Sequence, residues 1–269
     1  MKPTIAFMTA NFVARELGYQ LARGWGQGDE SVNQAFAPAE TYERRFSRLL
    51  DEIQAMGFAA VDLWTAHLNW AWATDEHVDI ARRALSDRCL RVTSLAGGFG
   101  ATHEEFGTAC RLAQAMGAPL LGGRTELLDT DRAAAMELLE RYDLRLGIEN
   151  HPERHPDEML AQIGAGGRVG TVVDTGWYGT QGFDAVEAIA ALQPHILRVD
   201  LKDVRAAGAH HCCGYGEGVV PVEQCVAELV ESGYGGVITV EHEPEDYDPS
   251  EECRQALAKL HAWLGTHER

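Results

Sequence analysis

No stretch of this 269-residue chain approaches the roughly 18 consecutive apolar residues that a membrane span requires. The first ten residues carry one positive charge and a short apolar run interrupted by threonine, too brief for a secretory signal and better read as a first buried strand. Positive charge is the scarce sign: 23 Lys plus Arg stand against 41 Asp plus Glu, a formal net charge of −18. That balance repels phosphate backbones and anionic bilayers, which excludes non-specific nucleic-acid and membrane partners. The six cysteines include no C-x-x-C pair, so they read as reduced thiols, and the expected location is cytoplasmic. Low-complexity tracts and interdomain linkers are missing too, while 45% of residues are hydrophobic, which excludes disorder and predicts one domain over 1–269.

What is present is a regular alternation. Strand-like runs at 4–9, 59–64, 91–95, 119–123, 145–149, 169–174, 196–201 and 237–241 are separated by amphipathic stretches. These predict helices near 41–56, 74–87, 103–117, 130–141, 156–164, 184–192, 221–232 and 250–264. In 41–56, Phe46, Leu49, Leu50, Ile53 and Met56 recur at helical spacing and Gly57 follows as a stop. Eight βα units predict an α/β fold, a closed (β/α)8 TIM barrel, with long loops after strands 1 and 7. An open doubly wound sheet is the structural alternative, but no G-x-G-x-x-G follows the first strand. The first long loop, 10–40, reads either as a lid or as an Ω-like loop over the barrel mouth.

Acids fall at the ends of four successive strands: Glu149, Asp174, Asp200 and Glu241. With a side-chain period of two, Ile148, Val173, Val199 and Val240 face the helices, and the acids face the barrel interior at its C-terminal rim. Each one alone reads as a helix cap or a solvated loop residue. Four in one phase would repel one another, and an all-oxygen site for Mn²⁺ or Mg²⁺, in preference to Zn²⁺, resolves the repulsion. Arg198 shares the phase of Asp200. It either orients Asp200 beside a metal or neutralises the acids without one.

These residues sit in a recognisable series. Gly147-Ile148-Glu149-Asn150-His151-Pro152-Glu153, Val173-Asp174-Thr175-Gly176-Trp177, Val199-Asp200-Leu201-Lys202-Asp203-Val204, Gly216-Glu217-Gly218 and Val240-Glu241-His242-Glu243 resemble the sugar phosphate isomerase/epimerase family. Val61-Asp62-Leu63-Trp64 and the run 92–98 extend the resemblance over nearly the whole chain. It implies a xylose isomerase-like TIM barrel with a divalent metal held by Glu149, Asp174, Asp200 and Glu241. It also implies an isomerase or epimerase acting on a sugar or related polyhydroxy ketone, with Glu149 and Glu241 exchanging the proton next to the carbonyl. Two positions depart from the family pattern, because Asp200 and Trp177 stand where histidine is common. The same departures and the acidic surface disfavour the family's DNA-repair endonucleases.

Around that pair, His151 reads as a substrate contact or proton shuttle, or else as a loop histidine holding backbone. Lys202 reads as a catalytic or charge-countering residue, or as a solvated rim lysine. Trp64, His67 and Trp177 offer faces and polar edges to a carbohydrate, with Trp70 and Trp72 equally suited to packing the rim. Arg205 suits an anionic substrate group, although no phosphate-binding glycine loop is evident. Glu217 sits in a loop expected to close over the site. His210-His211-Cys212-Cys213 lacks the spacing of a zinc site. Two alternatives remain open: an inosose-type dehydratase with the same metal site, and a metal-free, non-catalytic carbohydrate-binding barrel. The expected partner is a small carbohydrate-like substrate, and a homo-oligomer is left open.

Overall fold

The structure, a computed structural model, describes residues 2–266. Eight parallel strands close in the order β1-β10-β7-β6-β5-β4-β3-β2, with β8 and β9 forming a separate hairpin. The barrel strands are β1 (Thr4–Met8), β2 (Ala60–Trp64), β3 (Arg91–Gly98), β4 (Leu120–Arg124), β5 (Arg145–Glu149), β6 (Val169–Asp174), β7 (Ile196–Leu201) and β10 (Val237–Val240). The hairpin strands are β8 (Asp203–Ala206) and β9 (Ala209–Cys213). The helices are α1 (Trp25–Phe36), α2 (Ala39–Ala55), α3 (Asp75–Asp87), α4 (His103–Met116), α5 (Leu127–Thr130), α6 (Arg132–Arg141), α7 (Pro156–Ile163), α8 (Thr175–Gln181), α9 (Ala185–Leu192), α10 (Val222–Glu231) and α11 (Ser250–Thr266).

The expected closed barrel is therefore present, and its strands read as continuous apolar runs because both faces are covered. Val169–Asp174 is buried at every position. Between barrel and solvent, the helices bury one stripe each; on α2 the stripe is Tyr42, Phe46, Leu49, Leu50 and Ile53. Helix starts are specified locally. In α4, the Thr102 hydroxyl accepts from Glu105 N while the Glu105 carboxylate accepts from Thr102 N, so two otherwise unpaired amides are satisfied.

Both long loops contain structure that the sequence reading left out. After β1, two short 3-10 turns lead into α1, whose Val32 and Phe36 are buried. After β7, the chain makes the antiparallel β8–β9 hairpin. Helices α5, directly before α6, and α8, directly after β6, are also beyond the expected elements.

Two asparagines join neighbouring strand ends at the C-terminal rim. Asn11 donates to Val240 O at 3.0 Å and accepts from His242 N at 2.8 Å. Asn150 donates to Asp174 O at 3.0 Å and accepts from Asp174 N at 2.7 Å. Neither is solvent-exposed, so each meets backbone groups that water does not reach. Replacement Asn150→Ala is expected to strand both Asp174 backbone groups and cost about 3 kcal/mol, measured by urea denaturation with an unchanged m-value.

Candidate functional site

The side-chain alternation places Asp62, Glu149, Asp174, Arg198, Asp200 and Glu241 inside the barrel, with Lys202 and Glu243 just beyond the strand ends. The lower part of this cluster is built on Arg198, which is 1% exposed. Its guanidinium holds Asp200 with two bonds, Nε to Oδ1 at 2.7 Å and Nη2 to Oδ2 at 2.5 Å. Nη1 donates to Ser94 Oγ at 2.6 Å, and Ser94 donates in turn to Asp62 at 2.6 Å. Thr93 and Thr239 also donate to Asp62. Gly122 makes room for this arm, since a Cβ there would lie 2.4 Å from Arg198 Nη1. Burial opposes the charge on Arg198, but the carboxylates of Asp200 and Asp62 overcome it and keep the guanidinium ionised.

The upper part is built on Lys202, also 1% exposed. Its ammonium lies 3.2 Å from Asp174 Oδ2, 2.8 Å from Glu241 Oε1 and 3.0 Å from Glu243 Oε2. Burial works against this charge too, and the three carboxylates raise the lysine pKa well above its ordinary value. Asp174 is held from below as well: its Oδ1 accepts from Gly176 N at 2.7 Å and Trp177 N at 3.0 Å, capping α8. Gly176 lets the lysine stem pass, because a Cβ there would stand 2.6 Å from Lys202 Cγ and Cδ.

The remaining acids respond to burial and to one another. Burial, then the charges of Glu241 and Asp174, push Glu149 up to about 8. Burial raises Asp174 to about 6 and Glu243 to about 7, with Lys202 opposing both. Glu241 goes the other way: burial disfavours its charge, but Lys202 holds it below the usual carboxylate range. One oxygen of Glu241, Oε2, is buried without a hydrogen-bond partner. The two glutamates expected to act together thus have pKa values pushed apart.

The arrangement differs from the metal centre expected of Glu149, Asp174, Asp200 and Glu241. Both Asp200 oxygens are engaged by Arg198, and Lys202 Nζ stands where Asp174, Glu241 and Glu243 converge. Among the described residues, no group of three or more His, Cys, Asp or Glu side chains is arranged to hold a metal ion. A divalent ion and an ammonium cannot share the same carboxylate oxygens at these distances, so the residues as placed do not fit Mn²⁺ or Mg²⁺.

The other expected contacts sort themselves by position. Trp177 is stacked on both faces, with His151 at 3.9 Å and His210 at 4.1 Å between ring centroids, so neither face is open to a sugar. His210 links this stack to the charge cluster, its Nε2 lying 3.5 Å from Lys202 Nζ. Burial, then Lys202, pushes the pKa of His210 down to about 2, so it is a neutral ring. Trp64 is half-buried beneath α1, donating to Asp29 at 2.7 Å and meeting Trp25 edge-on at 5.3 Å. His67 is buried edge-on against Phe36 at 4.8 Å, away from the cluster. Trp70 and Trp72 pack the rim, donating to Gly98 O and Asn33 Oδ1.

Glu217 is exposed and is not brought to the cluster. Its two flanking glycines are instead bound by their amides to Asp203, Gly216 at 2.9 Å and Gly218 at 3.0 Å. Arg205, also exposed, lines a cavity of about 720 Å³ together with Tyr19, His210, Glu243 and Tyr247. Glu243 and His210 are where this cavity meets the lysine cluster.

Three participants lie outside the set to which the sequence points. Asp62 and Glu243 share the inward phase of residues that were singled out, Trp64 and Glu241. Trp25, which donates to Glu243 Oε1 at 3.2 Å, carried no periodic signal at all.

Residues 50–264 match the family described as xylose isomerase-like TIM barrel. The chain is similar in structure to an L-ribulose 3-epimerase, with a TM-score of 0.70 and 14% identity, over 99% of this chain and 95% of that one. It is similar to the probable 3-DHS dehydratase AsbF from Bacillus anthracis, involved in petrobactin synthesis, with a TM-score of 0.66 and 16% identity over 100% of both chains. A xylose isomerase-like TIM barrel protein from Mycobacterium smegmatis, in complex with magnesium, gives 0.65 and 17% over 85% of this chain and 90% of that one. At these identities the likeness is one of fold. No curated protein matches the chain.

Replacement Arg198→Met is expected to strand Asp200 and destabilise the protein by about 3–5 kcal/mol. The stranded carboxyl would have a folded pKa above its unfolded value, so stability falls as pH rises from the unfolded value through the folded one. Chemical denaturation should therefore show a smaller loss at pH 5 than at pH 8.

Proposed function

The chain belongs to the xylose isomerase-like TIM barrel family, and we propose that it is an isomerase or epimerase of a sugar or related polyhydroxy ketone that works with a lysine ammonium as its fixed cation. The observation that carries this reading is Lys202 Nζ within 3.2 Å of Asp174, Glu241 and Glu243 at the barrel mouth. Proton abstraction next to a carbonyl needs a base, an acid and a positive charge for the oxyanion that forms. The split between Glu241, held ionised by Lys202, and Glu149, raised to about 8, supports assigning the first as base and the second as acid.

In the forward direction the Glu241 carboxylate removes the α-proton. The C–H electron pair forms the enolate C=C bond, and the carbonyl electrons move to oxygen, where the Lys202 ammonium donates a hydrogen bond. The Glu149 carboxyl then returns a proton to carbon. For epimerisation it goes to the same carbon from the opposite face. For isomerisation, once the α-hydroxyl proton has passed to the enolate oxygen, it goes to the former carbonyl carbon, the new C=O forming at the α-carbon. Glu149 is left ionised and Glu241 protonated, ready for the reverse turnover. Arg198 positions this machinery by fixing Asp200 beneath it. Substrate enters along the cavity that ends at Glu243 and His210, where Arg205 suits an anionic substituent. His151 and Trp177 act by holding His210 over the lysine.

No step here runs through a metal, since Lys202 and Arg198 engage oxygens of Asp174, Asp200 and Glu241, three of the four acids that would bind one. The second reading is elimination of water: the same Glu149 acid, protonating a β-hydroxyl instead of carbon, would make the enzyme a dehydratase.

A panel of ketoses and inososes assayed in EDTA should reveal turnover, and product analysis separates reprotonation from loss of water. In the same assay Lys202→Met is expected to lower kcat by about 10³-fold, and Glu149→Gln and Glu241→Gln by about 10²–10⁴-fold, with folds retained by circular dichroism. Turnover that appears only when Mn²⁺ or Mg²⁺ is added would return the reaction to a metal-dependent mechanism.

A further inference from the structure

The second concentration of charge shares no lining residue with the cavity at the barrel mouth and has the opposite sign to the protein as a whole. A cavity of about 350 Å³ is lined by Arg15, Arg44, Arg45 and Arg48, with Glu16 and His67 also at its wall. Phe12, Val32, Phe36 and Leu49 supply its apolar lining. The arginines come from two elements. Arg15 belongs to the 3-10 turn after β1, and the other three lie on α2.

The local charge balance leaves an excess. Glu16 pairs with Arg45 at 2.9 Å, while Glu52 serves both Arg15 at 2.5 Å and Arg48 at 3.0 Å. Two carboxylates are thus paired with three of the four guanidiniums, and Asp248 adds its charge to the surroundings of Arg15, which still leaves the cavity net positive in a chain whose net charge is −18. Arg44 has no carboxylate partner among the described residues. Three buried polar atoms at this wall also lack a hydrogen-bond partner: Arg45 Nε, His67 Nδ1 and Arg15 Nη2, the last in its ion pair with Glu52. His67 is 2% exposed, and burial followed by the charge of Arg15 pushes its pKa down to about 3. It is thus a neutral ring with one N–H to give. Orphaned donors buried beside uncompensated positive charge are costly unless an acceptor joins them.

We propose that this cavity binds a phosphate group, carried by a small molecule or as the free ion. A phosphate dianion supplies the missing acceptors for Arg45 and His67. It also offsets the net positive charge of the lining and matches the forked geometry of guanidinium donors. At about 30 Å³ per water the cavity has room for roughly ten waters, enough for a phosphate with a short organic substituent. Because Arg15 and Glu16 belong to the segment that continues into α1, an anion bridging Arg15 and Arg45 would fasten that segment to α2. The same segment brings Trp25 to Glu243. The site does not depend on which reaction the barrel mouth performs.

Isothermal titration of the full-length protein at low ionic strength, with inorganic phosphate and separately with glycerol 3-phosphate, tests the assignment. Saturable one-to-one binding is expected, tighter for the monoester if the natural ligand is a phosphorylated molecule and no tighter if it is the free ion. The double replacement Arg44→Ala/Arg48→Ala, confined to exposed positions on α2, should weaken binding by about tenfold or more without loss of helicity. The His67 ring resonances should shift on titration, and Arg205→Ala at the mouth should leave the affinity unchanged. No saturable binding up to about 10 mM phosphate, a range weaker than a built site gives, would overturn the proposal. So would binding that survives the α2 replacements and is lost with Arg205→Ala.

Discussion

The C-terminal end of this barrel depends on one strand carrying two buried cations. Arg198 and Lys202, four residues apart on and just after β7, flank Asp200 in a single inward phase. Around them stand six carboxyl groups drawn from β2, β5, β6, β7 and the segment that begins at the end of β10. Six acids buried together without compensation would be prohibitive, and pairing each long basic side chain with several acids is what makes the arrangement tenable. The glycines follow from the same need. Gly122 and Gly176 are small because an arginine arm and a lysine stem pass where their side chains would be.

This dependence explains why the two cations do different work. Arg198 has its donors directed at Asp200 and Ser94, a planar fork locked by a planar acceptor, and it behaves as structure. Lys202 presents a compact charge on a flexible stem to three acids, none of which it holds in a bidentate grip. Exchanging one of those contacts for a substrate oxygen leaves the other two in place. That difference is the physical basis for giving the lysine a chemical role and the arginine a positioning one.

Much of this was legible in the sequence, and the part that was not has a consistent cause. Alternation with a period of two was enough to turn Glu149, Asp174, Asp200 and Glu241 inward, and it put Arg198 and Lys202 on the same side. The barrel itself followed from eight βα units whose strands were placed to within a few residues. What periodicity does not encode is the reach of a long side chain. Whether Asp174 and Glu241 gather round an ion or round an ammonium is decided by where Lys202 Nζ ends, several bonds from its backbone. Helix α1 escaped notice because Trp-Gly-Gln-Gly opens it, and two glycines in its first four residues read as loop. Trp177 was expected to face a sugar, since nothing local reveals that His151 and His210, from two other segments, cover both its sides.

That triple stack changes what ligand entry means at the mouth. Its rings come from the loop after β5, from α8 and from β9, so three otherwise separate segments are held in register by aromatic contact. A planar or ring-shaped guest that sought the indole face would have to displace an imidazole already there, an exchange of one stacked partner for another. Net attraction would then be small for any ring that merely matches histidine. Discrimination among guests would rest instead on the oxygens they present to Lys202 and the acids beneath. The stack in that sense is an occupied seat, and under the proposed function it would filter for hydroxyl pattern over hydrophobic bulk.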